Sequence, residues 1–147
     1  MRFDYVIEKQ WVTKEGFLAT IVFFARDGAR RGYISLPEGH KLERVKYDDP
    51  ILDNINIHWG LTFSQYANLS YIPNKVYWTF GFDCVHAGDL PDANAYTKNF
   101  QDRPIPNHIV DYLDTFKRYK YKTRTLLYVE EQLNNLSVQL SKITEGE

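Results

Sequence analysis

An apolar repeat near the C-terminus is the sequence feature that most constrains the fold. Its members recur at alternating intervals of three and four residues: Leu126, Val129, Leu133, Leu136, Leu140 and Ile143. This spacing puts all of them on one side of an α-helix, and Thr123 or Thr125 can cap its start. The repeat covers fewer than three heptads, which is too short for a free coiled coil. We therefore expect a helix that lies across the rest of the chain. The sequence leaves open whether the same strip also packs against a second chain.

The first two thirds of the chain predict the sheet on which this helix can lie. GFLATIVFFA, residues 16–25, is nearly continuously apolar and is typical of a central strand. An Asp-Gly turn signal in residues 26–32, followed by GYISLP, predicts a hairpin. FDYVIEKQWV, residues 3–12, INIHWGLTF, residues 55–63, and VYWTFGF, residues 76–82, predict the other strands. The expected fold class is α+β: a small antiparallel sheet of four or five strands, followed by C-terminal helices that pack on the sheet and on a second chain.

The domain organisation follows from the length of the chain and from the position of its Pro- and Asn-rich segment. A chain of 147 residues most simply forms a single domain, residues 1–147. Residues 1–89 are β-rich, residues 90–106 are rich in Pro and Asn and predict an extended loop, and residues 107–147 predict a helical part. The first of these helices is expected over residues 107–119, with Asn107 as its cap.

Charge and cysteine content exclude several classes of protein. With 18 basic and 19 acidic residues the net charge is −1, which argues against general binding along DNA but leaves room for a local basic pocket. The single cysteine excludes an internal disulfide framework and suits a reducing cytosol. The charged N-terminus is unlike a signal peptide, and no apolar run is long enough to span a membrane, so no membrane partner is expected.

The stretch WTFGFDCVHAGD begins as an alternating strand and ends in reactive side chains. Asp83 and Asp89 with His86 suit general acid–base hydrolysis. Cys84 with His58 or His86 suits nucleophilic catalysis, although a lone cysteine among bulky neighbours is more often a buried filler. A metal site from His58, His86 and Asp83 is a third hypothesis, but the chain has no HxH, HExxH or CxxC pair to position ligands. The plainer interpretation is that these groups hydrogen-bond loop backbone or a ligand.

Other residues favour a nucleotide ligand. Arg124 at the start of the terminal helix, together with backbone N–H groups, suits a phosphate, and Arg31 is a further candidate cation. Aromatic rings on or near the strands could sandwich a base, although some of them must be core: Trp59, Phe63, Trp78 and Phe82.

Four segments in order resemble a family of small bacteriophage proteins, the anti-Thoeris proteins of the first type. The segments are RRGYISLPEGH, INIHWGLTF, WTFGFDCVHAGD and RTLLYVEEQLNNLSVQL, which together run through most of the chain. Members of this family are sponges rather than enzymes. They bind cyclic ADP-ribose isomers made by bacterial TIR-domain defence proteins and release them intact on denaturation.

The resemblance implies a fold and a set of partners as well as a ligand. The family fold is a small antiparallel sheet whose C-terminal helices pair chains into dimers. Ligand pockets lie at the chain junction, and some members form hexamers that also bind cyclic oligonucleotides. It implies action in the host bacterial cytoplasm, no catalytic residues, no cofactor and no metal. It also implies that glycocyclic ADP-ribose isomers are the ligands that this chain sequesters.

The resemblance further assigns roles to individual residues. Phe82 and Asp83 would belong to a ligand-gripping loop, His58 would lie near the pocket, and Arg124 would bind pyrophosphate. Trp59 departs from the family pattern, in which a second Gly is usual, and would either fill part of the pocket or stack on adenine. The expected ligand-binding residues are Arg31, His58, Trp59, Trp78, Phe82, Asp83, His86, Asp89 and Arg124. Two rival hypotheses are a nucleotide hydrolase using Asp83 and His86, with or without a metal, and a non-catalytic protein-interaction module.

Overall fold

The chain folds as one five-stranded antiparallel sheet with three helices, and the computed structural model describes residues 4–145. The sheet order is β1-β2-β3-β5-β4, with strands β1 Tyr5–Val12, β2 Leu18–Phe24, β3 Ala29–Ser35, β4 Phe63–Ala67 and β5 Tyr77–Asp83. The helices are α1 Ala93–Asn99, α2 Asn107–Phe116 and α3 Leu126–Glu145, and a short parallel pair joins β6 Asp89–Leu90 to β7 Lys122–Thr123. This architecture confirms the predicted α+β class.

The heptad strip of α3 is buried against the sheet within the single chain. Val129, Leu133, Leu136 and Leu140 are all 0% exposed and pack with residues of β2, β3 and β5. Thr125 caps the helix, because its hydroxyl accepts the Tyr128 N–H at 3.2 Å. The predicted helix across the sheet is therefore confirmed. Packing of α3 on a second chain stays a prediction.

A second core cluster covers the other end of the same sheet face. Phe23 packs there with Tyr96 and Phe100 of the α1 region and with Ile109 of α2. Phe23 and Ile21 share a face because alternate residues of a strand point the same way, and Ile21 belongs to the cluster under α3. Helix α3 and the α1–α2 pair thus lie side by side on one face, and the polar end of β5 lies where they meet. Within the described range, none of the helices has the length and apolarity needed to cross a membrane.

Three segment predictions differ from the structure. Arg30 and Arg31, expected in a turn, lie inside β3, which begins at Ala29. Residues 90–106, expected to be an extended loop, contain α1, because the Asp92 side chain accepts the Ala95 N–H at 3.0 Å and caps a helix there. Helix α2 begins after Pro106, and Asn107 is its first residue rather than its cap.

The largest difference concerns residues 55–63, which were expected to be a strand. They form a coil with a turn, and β4 begins only at Phe63. Trp59 and Gly60 have φ values of 56° and 80°, which no extended strand contains. The backbone N–H groups of Asn56 and His58 donate to glutamine side chains of α3, at 2.6 and 2.9 Å, instead of to a neighbouring strand.

Leu133 and Leu127 offer a matched test of this packing. Leu133 is 0% exposed and Leu127 is 60% exposed, on the same helix. We expect Leu133→Ala to lower the free energy of unfolding by about 3 kcal/mol, because it removes buried methyl groups and leaves a cavity. Leu127→Ala should change it by less than about 0.5 kcal/mol. Urea unfolding followed by tryptophan fluorescence measures both, and equal effects would contradict the assigned orientation of α3.

Candidate functional site

The carboxylate of Asp89 organises the polar end of β5. Asp89 is 3% exposed, and it accepts three hydrogen bonds. Its Oδ1 accepts the Arg124 Nε–H at 2.8 Å, and its Oδ2 accepts from His58 Nε2 at 2.9 Å and from the His86 N–H at 3.1 Å. Burial raises the pKa of Asp89, but the hydrogen bonds from His58, Arg124 and the His86 backbone outweigh it and hold that pKa below its ordinary value. Asp89 is therefore an anion that positions its neighbours, and its own oxygens are already occupied.

His58 and Tyr128 extend this network to α3. The Tyr128 hydroxyl lies 2.7 Å from His58 Nδ1, and the two rings meet edge to face with centroids 5.3 Å apart. With Nε2–H donating to Asp89, Nδ1 is the acceptor for the Tyr128 O–H. The Arg124 guanidinium lies 5.1 Å from the Tyr128 ring centroid, within cation–π distance. The first turn of α3 is thereby fixed against the loop that carries His58.

Trp59 is an exposed aromatic residue held in an uncommon conformation. Its side chain is 58% exposed, and its φ of 56° lies in the left-handed region that bulky residues rarely adopt. The indole stacks on the His86 ring, with centroids 5.0 Å apart and an interplanar angle of 20°. Backbone strain at an exposed ring is more common at binding sites than elsewhere.

Beside Trp59 a polar groove of about 380 Å³ runs between the residue 56–59 loop and α3. It is lined by Asn56, Ile57, His58, Trp59, Arg124, Tyr128, Gln132 and Asn135. Gln132 Oε1 accepts the His58 N–H at 2.9 Å, and the Gln132 amide N–H groups donate to none of the described residues. Since small-molecule sites usually measure about 300–1,000 Å³, a nucleotide fits this groove in size.

Asp83 and His86 form a second pair beside Trp59. Nε2 of His86 lies 2.9 Å from Oδ1 of Asp83, with side chains 27% and 24% exposed. The contact is not aligned as a hydrogen bond, and among the described residues His86 Nε2 has no hydrogen-bond partner. A buried nitrogen without a partner is uncommon in folded proteins and is more frequent at functional sites.

Three of the sequence-predicted site residues lie away from the groove. Phe82 and Trp78 are core residues, 1% and 6% exposed, and the Trp78 indole donates to the Val45 carbonyl at 2.9 Å. The Phe82 ring is 6.4 Å from that of His58 and supports it from behind. Arg31 points to the opposite sheet face, where it makes two hydrogen bonds of 2.6 Å to Asp27. Of the other six, His58, Trp59 and Arg124 line the groove. Asp89 bonds to His58 and Arg124, and His86 stacks on Trp59. Asp83 is the cross-strand partner of Arg31 and contacts His86 from outside the groove lining.

Cys84 and metal ligands were the other chemical hypotheses. Burial, followed by the nearby carboxylates Asp89 and Asp83, raises the pKa of Cys84 to about 12. Its sulfur is therefore a protonated thiol at neutral pH, and a thiol is a poor nucleophile. No group of three or more His, Cys, Asp or Glu side chains in residues 4–145 is arranged to hold a metal ion.

Sequence reasoning did not assign five residues of the groove: Asn56, Ile57, Tyr128, Gln132 and Asn135. Tyr128, Gln132 and Asn135 repeat at intervals of four and three residues, so they form a polar stripe beside the apolar one on α3. That spacing was the one sequence signal for these groove residues. It did not distinguish them from ordinary surface residues, because polar residues on an amphipathic helix usually face solvent.

Comparisons with protein-family models, curated proteins and solved structures gave no match to this chain.

Asp89→Asn tests the role of the central carboxylate. At pH 7 we expect the free energy of unfolding to fall by about 3 kcal/mol, because a buried ion pair with Arg124 is broken. The folded-state pKa of Asp89 is lowered, so its stabilisation is complete above the ordinary pKa of about 4 and is lost as pH falls through the folded-state value. The difference between wild type and variant should therefore shrink below about pH 4.

The control is Asp48→Asn, since Asp48 is an exposed carboxylate. Urea titrations at pH 7, 5 and 3.5 measure both variants. A difference for Asp89→Asn that is the same at pH 3.5 as at pH 7 would contradict an ionised Asp89 in the folded protein.

Proposed function

We propose that this chain binds a cyclic ADP-ribose-type signalling nucleotide in the groove beside Trp59 and sequesters it without cleavage. The observation that carries the proposal is the stack of exposed Trp59 on His86, next to the Arg124 guanidinium, at the edge of a nucleotide-sized groove. An aromatic face beside a guanidinium suits the two parts of such a ligand, a base and a pyrophosphate. The resemblance to the anti-Thoeris sponges supports the same ligand class, including glycocyclic isomers.

The stack supplies the base-binding element. Trp59 has one face on His86 and more than half of its surface open to solvent. Stacking a nucleobase on an aromatic ring contributes about 1–3 kcal/mol and tolerates different bases. An adenine therefore stacks on the open indole face, opposite His86.

Arg124 supplies the anion-binding element. Its Nε is held by Asp89, and its terminal nitrogens make no hydrogen bond to any described residue. A guanidinium fixed by one edge presents the rest of its fork to phosphate oxygens in a set orientation. Amide groups of Asn56 and Gln132 lie in the same groove and suit ribose hydroxyl groups.

Sequestration needs tight binding and no stabilisation of a transition state. The groups nearest Arg124 fit that requirement, because Asp89 is fully hydrogen-bonded and His58 is held by Asp89 and Tyr128. Neither is arranged to activate a water. Action on a TIR-generated signal in the bacterial host cytoplasm, by a dimer or hexamer joined through α3, completes the proposal. Cyclic oligonucleotides are a second ligand class within it.

The Asp83–His86 pair favours one rival function, a nucleotide hydrolase. The two side chains lie 2.9 Å apart and are about one quarter exposed, and the His86 ring stacks on Trp59. A carboxylate beside an imidazole can activate a water for attack on a phosphate. The rival predicts a changed product, whereas sequestration predicts the intact nucleotide.

Bind-and-release with mass spectrometry decides between them. The purified protein is incubated with cyclic ADP-ribose isomers and cyclic oligonucleotides, free ligand is removed by filtration, and the protein is heat-denatured. We expect one ADP-ribose isomer to be depleted and then recovered intact. Depletion with a changed product would support the hydrolase, and no depletion would leave the protein-interaction module as the better hypothesis.

Trp59→Ala should weaken binding of that isomer by about 10–100-fold, because a stacking surface is lost. Tyr71→Ala is the matched control, since Tyr71 is 72% exposed on a loop outside the groove lining and should leave affinity unchanged. Arg124→Lys keeps the positive charge but removes the planar guanidinium and its paired N–H donors, so it should also weaken binding of the nucleotide. Calorimetric titration measures all three, and unchanged affinity in both groove variants would contradict the proposed site.

A further inference from the structure

The turn between α2 and β7 carries an exposed cluster of cations that the proposed nucleotide groove does not use. The segment KRYKYK, residues 117–122, has four basic residues out of six: Lys117, Arg118, Lys120 and Lys122. All four are exposed. The turn is tight, because the Tyr119 N–H donates to the Phe116 carbonyl at 3.1 Å, so the charges are confined to one small surface.

Most of this charge is not neutralised within the chain. Lys117 lies 3.5 Å from Asp114, and both side chains are about two-thirds exposed, so that pair is weak. Arg118, Lys120 and Lys122 form no ion pair with any residue in the described range. Three cations without an ion pair therefore remain on a chain whose net charge is −1. One of them, Arg118, also lies 6.0 Å from the Tyr119 ring centroid, within cation–π distance.

Aromatic rings are interleaved with these cations. Phe116 is stacked on Tyr121 with centroids 5.0 Å apart and an interplanar angle of 7°, and Tyr112 lies 4.6 Å from Phe116. Tyr119 continues the ladder 6.3 Å from Tyr121 and is 57% exposed. None of these four rings belongs to either buried core cluster. The ladder therefore pre-organises a surface and does not fill the interior.

We propose that this basic aromatic turn binds single-stranded nucleic acid. Unpaired bases present faces that stack on tyrosine, and the strand's phosphates pair with the flanking cations. A lipid surface fits less well, because the six residues of the turn are only cations and tyrosines, with no aliphatic or Trp side chain to insert. The near-neutral net charge disfavours wrapping of a long duplex.

The number of free cations sets the expected salt dependence. For single strands the logarithm of the binding constant falls with the logarithm of salt concentration by about 0.7 per phosphate contacted, so three contacts give a slope of about −2. Raising salt from 50 to 200 mM should then weaken binding by about 16-fold. We therefore expect weak binding of single strands at low salt, with an affinity that falls steeply as the salt concentration rises.

Fluorescence anisotropy of the full chain tests the proposal, with fluorescein-labelled 12-mers of oligo(U) and oligo(dT) as probes. We expect at least one probe to bind at 50 mM salt, and a 12-base-pair duplex to bind more weakly. The triple variant Arg118→Gln, Lys120→Gln, Lys122→Gln should lose about tenfold or more in affinity. Tyr119→Ala should lose about tenfold, because it removes one stacking ring.

The matched control removes the same charge elsewhere. Lys14, Lys41 and Lys142 are exposed and lie outside the turn, so their triple replacement by Gln should leave most of the affinity. Equal losses in both triple variants would show a net-charge effect and overturn the proposal. So would a lack of binding to both single strands, tighter binding to the duplex, or binding only to vesicles of phosphatidylglycerol and phosphatidylcholine.

The proposed binding of single strands at the turn does not depend on the proposed binding of a cyclic nucleotide in the groove. Trp59 and Arg124 are unchanged in every variant of the turn, so calorimetric titration with the cyclic nucleotide should give the wild-type affinity. A failure of the turn to bind single strands leaves the groove proposal unaffected, and a failure of the groove leaves this one unaffected.

Discussion

The buried guanidinium of Arg30 is the interaction on which the arrangement of the layers depends. Arg30 is 4% exposed and lies on the helix-covered face of the sheet, between the two core clusters. It bonds to Glu8 of β1 at 2.6 and 3.1 Å, to the α1 cap Asp92 at 2.7 Å and to the carbonyl of Arg124 at 3.0 Å. One side chain therefore fixes the sheet edge, the start of α1 and the segment that leads into α3. Removing one partner of such a network leaves a buried charge unpaired, which typically costs about 3–5 kcal/mol.

The geometry of the candidate site depends on these hydrogen bonds of Arg30. Because the backbone of Arg124 is held by Arg30, the Arg124 side chain can reach back to Asp89 at the start of β6. Asp89 in turn orients His58, and His58 binds Tyr128 on α3. The chain of contacts runs from the sheet to the helix through hydrogen-bonding side chains rather than apolar ones. This suits a binding site, because buried, mutually hydrogen-bonded groups hold a rigid framework around the more open Trp59 and His86.

The two surfaces proposed to bind ligands differ in how they are built. The groove combines one aromatic stack with one oriented guanidinium and several amides, which favours a single small ligand bound in a fixed pose. The basic aromatic turn has exposed lysine side chains and an exposed tyrosine, which favours weak, salt-sensitive contact with a longer strand. Lys122 lies in β7, whose backbone pairs with β6 at Asp89, and replacing the exposed Lys122 side chain leaves that backbone pairing in place.

Sequence alone determined the elements whose signal is local. The alternating spacing of three and four residues in α3 and the apolar run of β2 fix periodicity and burial, and both predictions were confirmed. It also grouped the polar end of β5 with Arg124.

Tertiary structure decided the rest, because the deciding partners are far apart in sequence. Residues 55–63 are not a strand because glutamines of α3 take their backbone hydrogen bonds, and Phe82 is core because α3 covers it. Arg31 faces away from the groove because adjacent strand residues point to opposite faces, and only the true start of β3 shows which of Arg30 and Arg31 points inward.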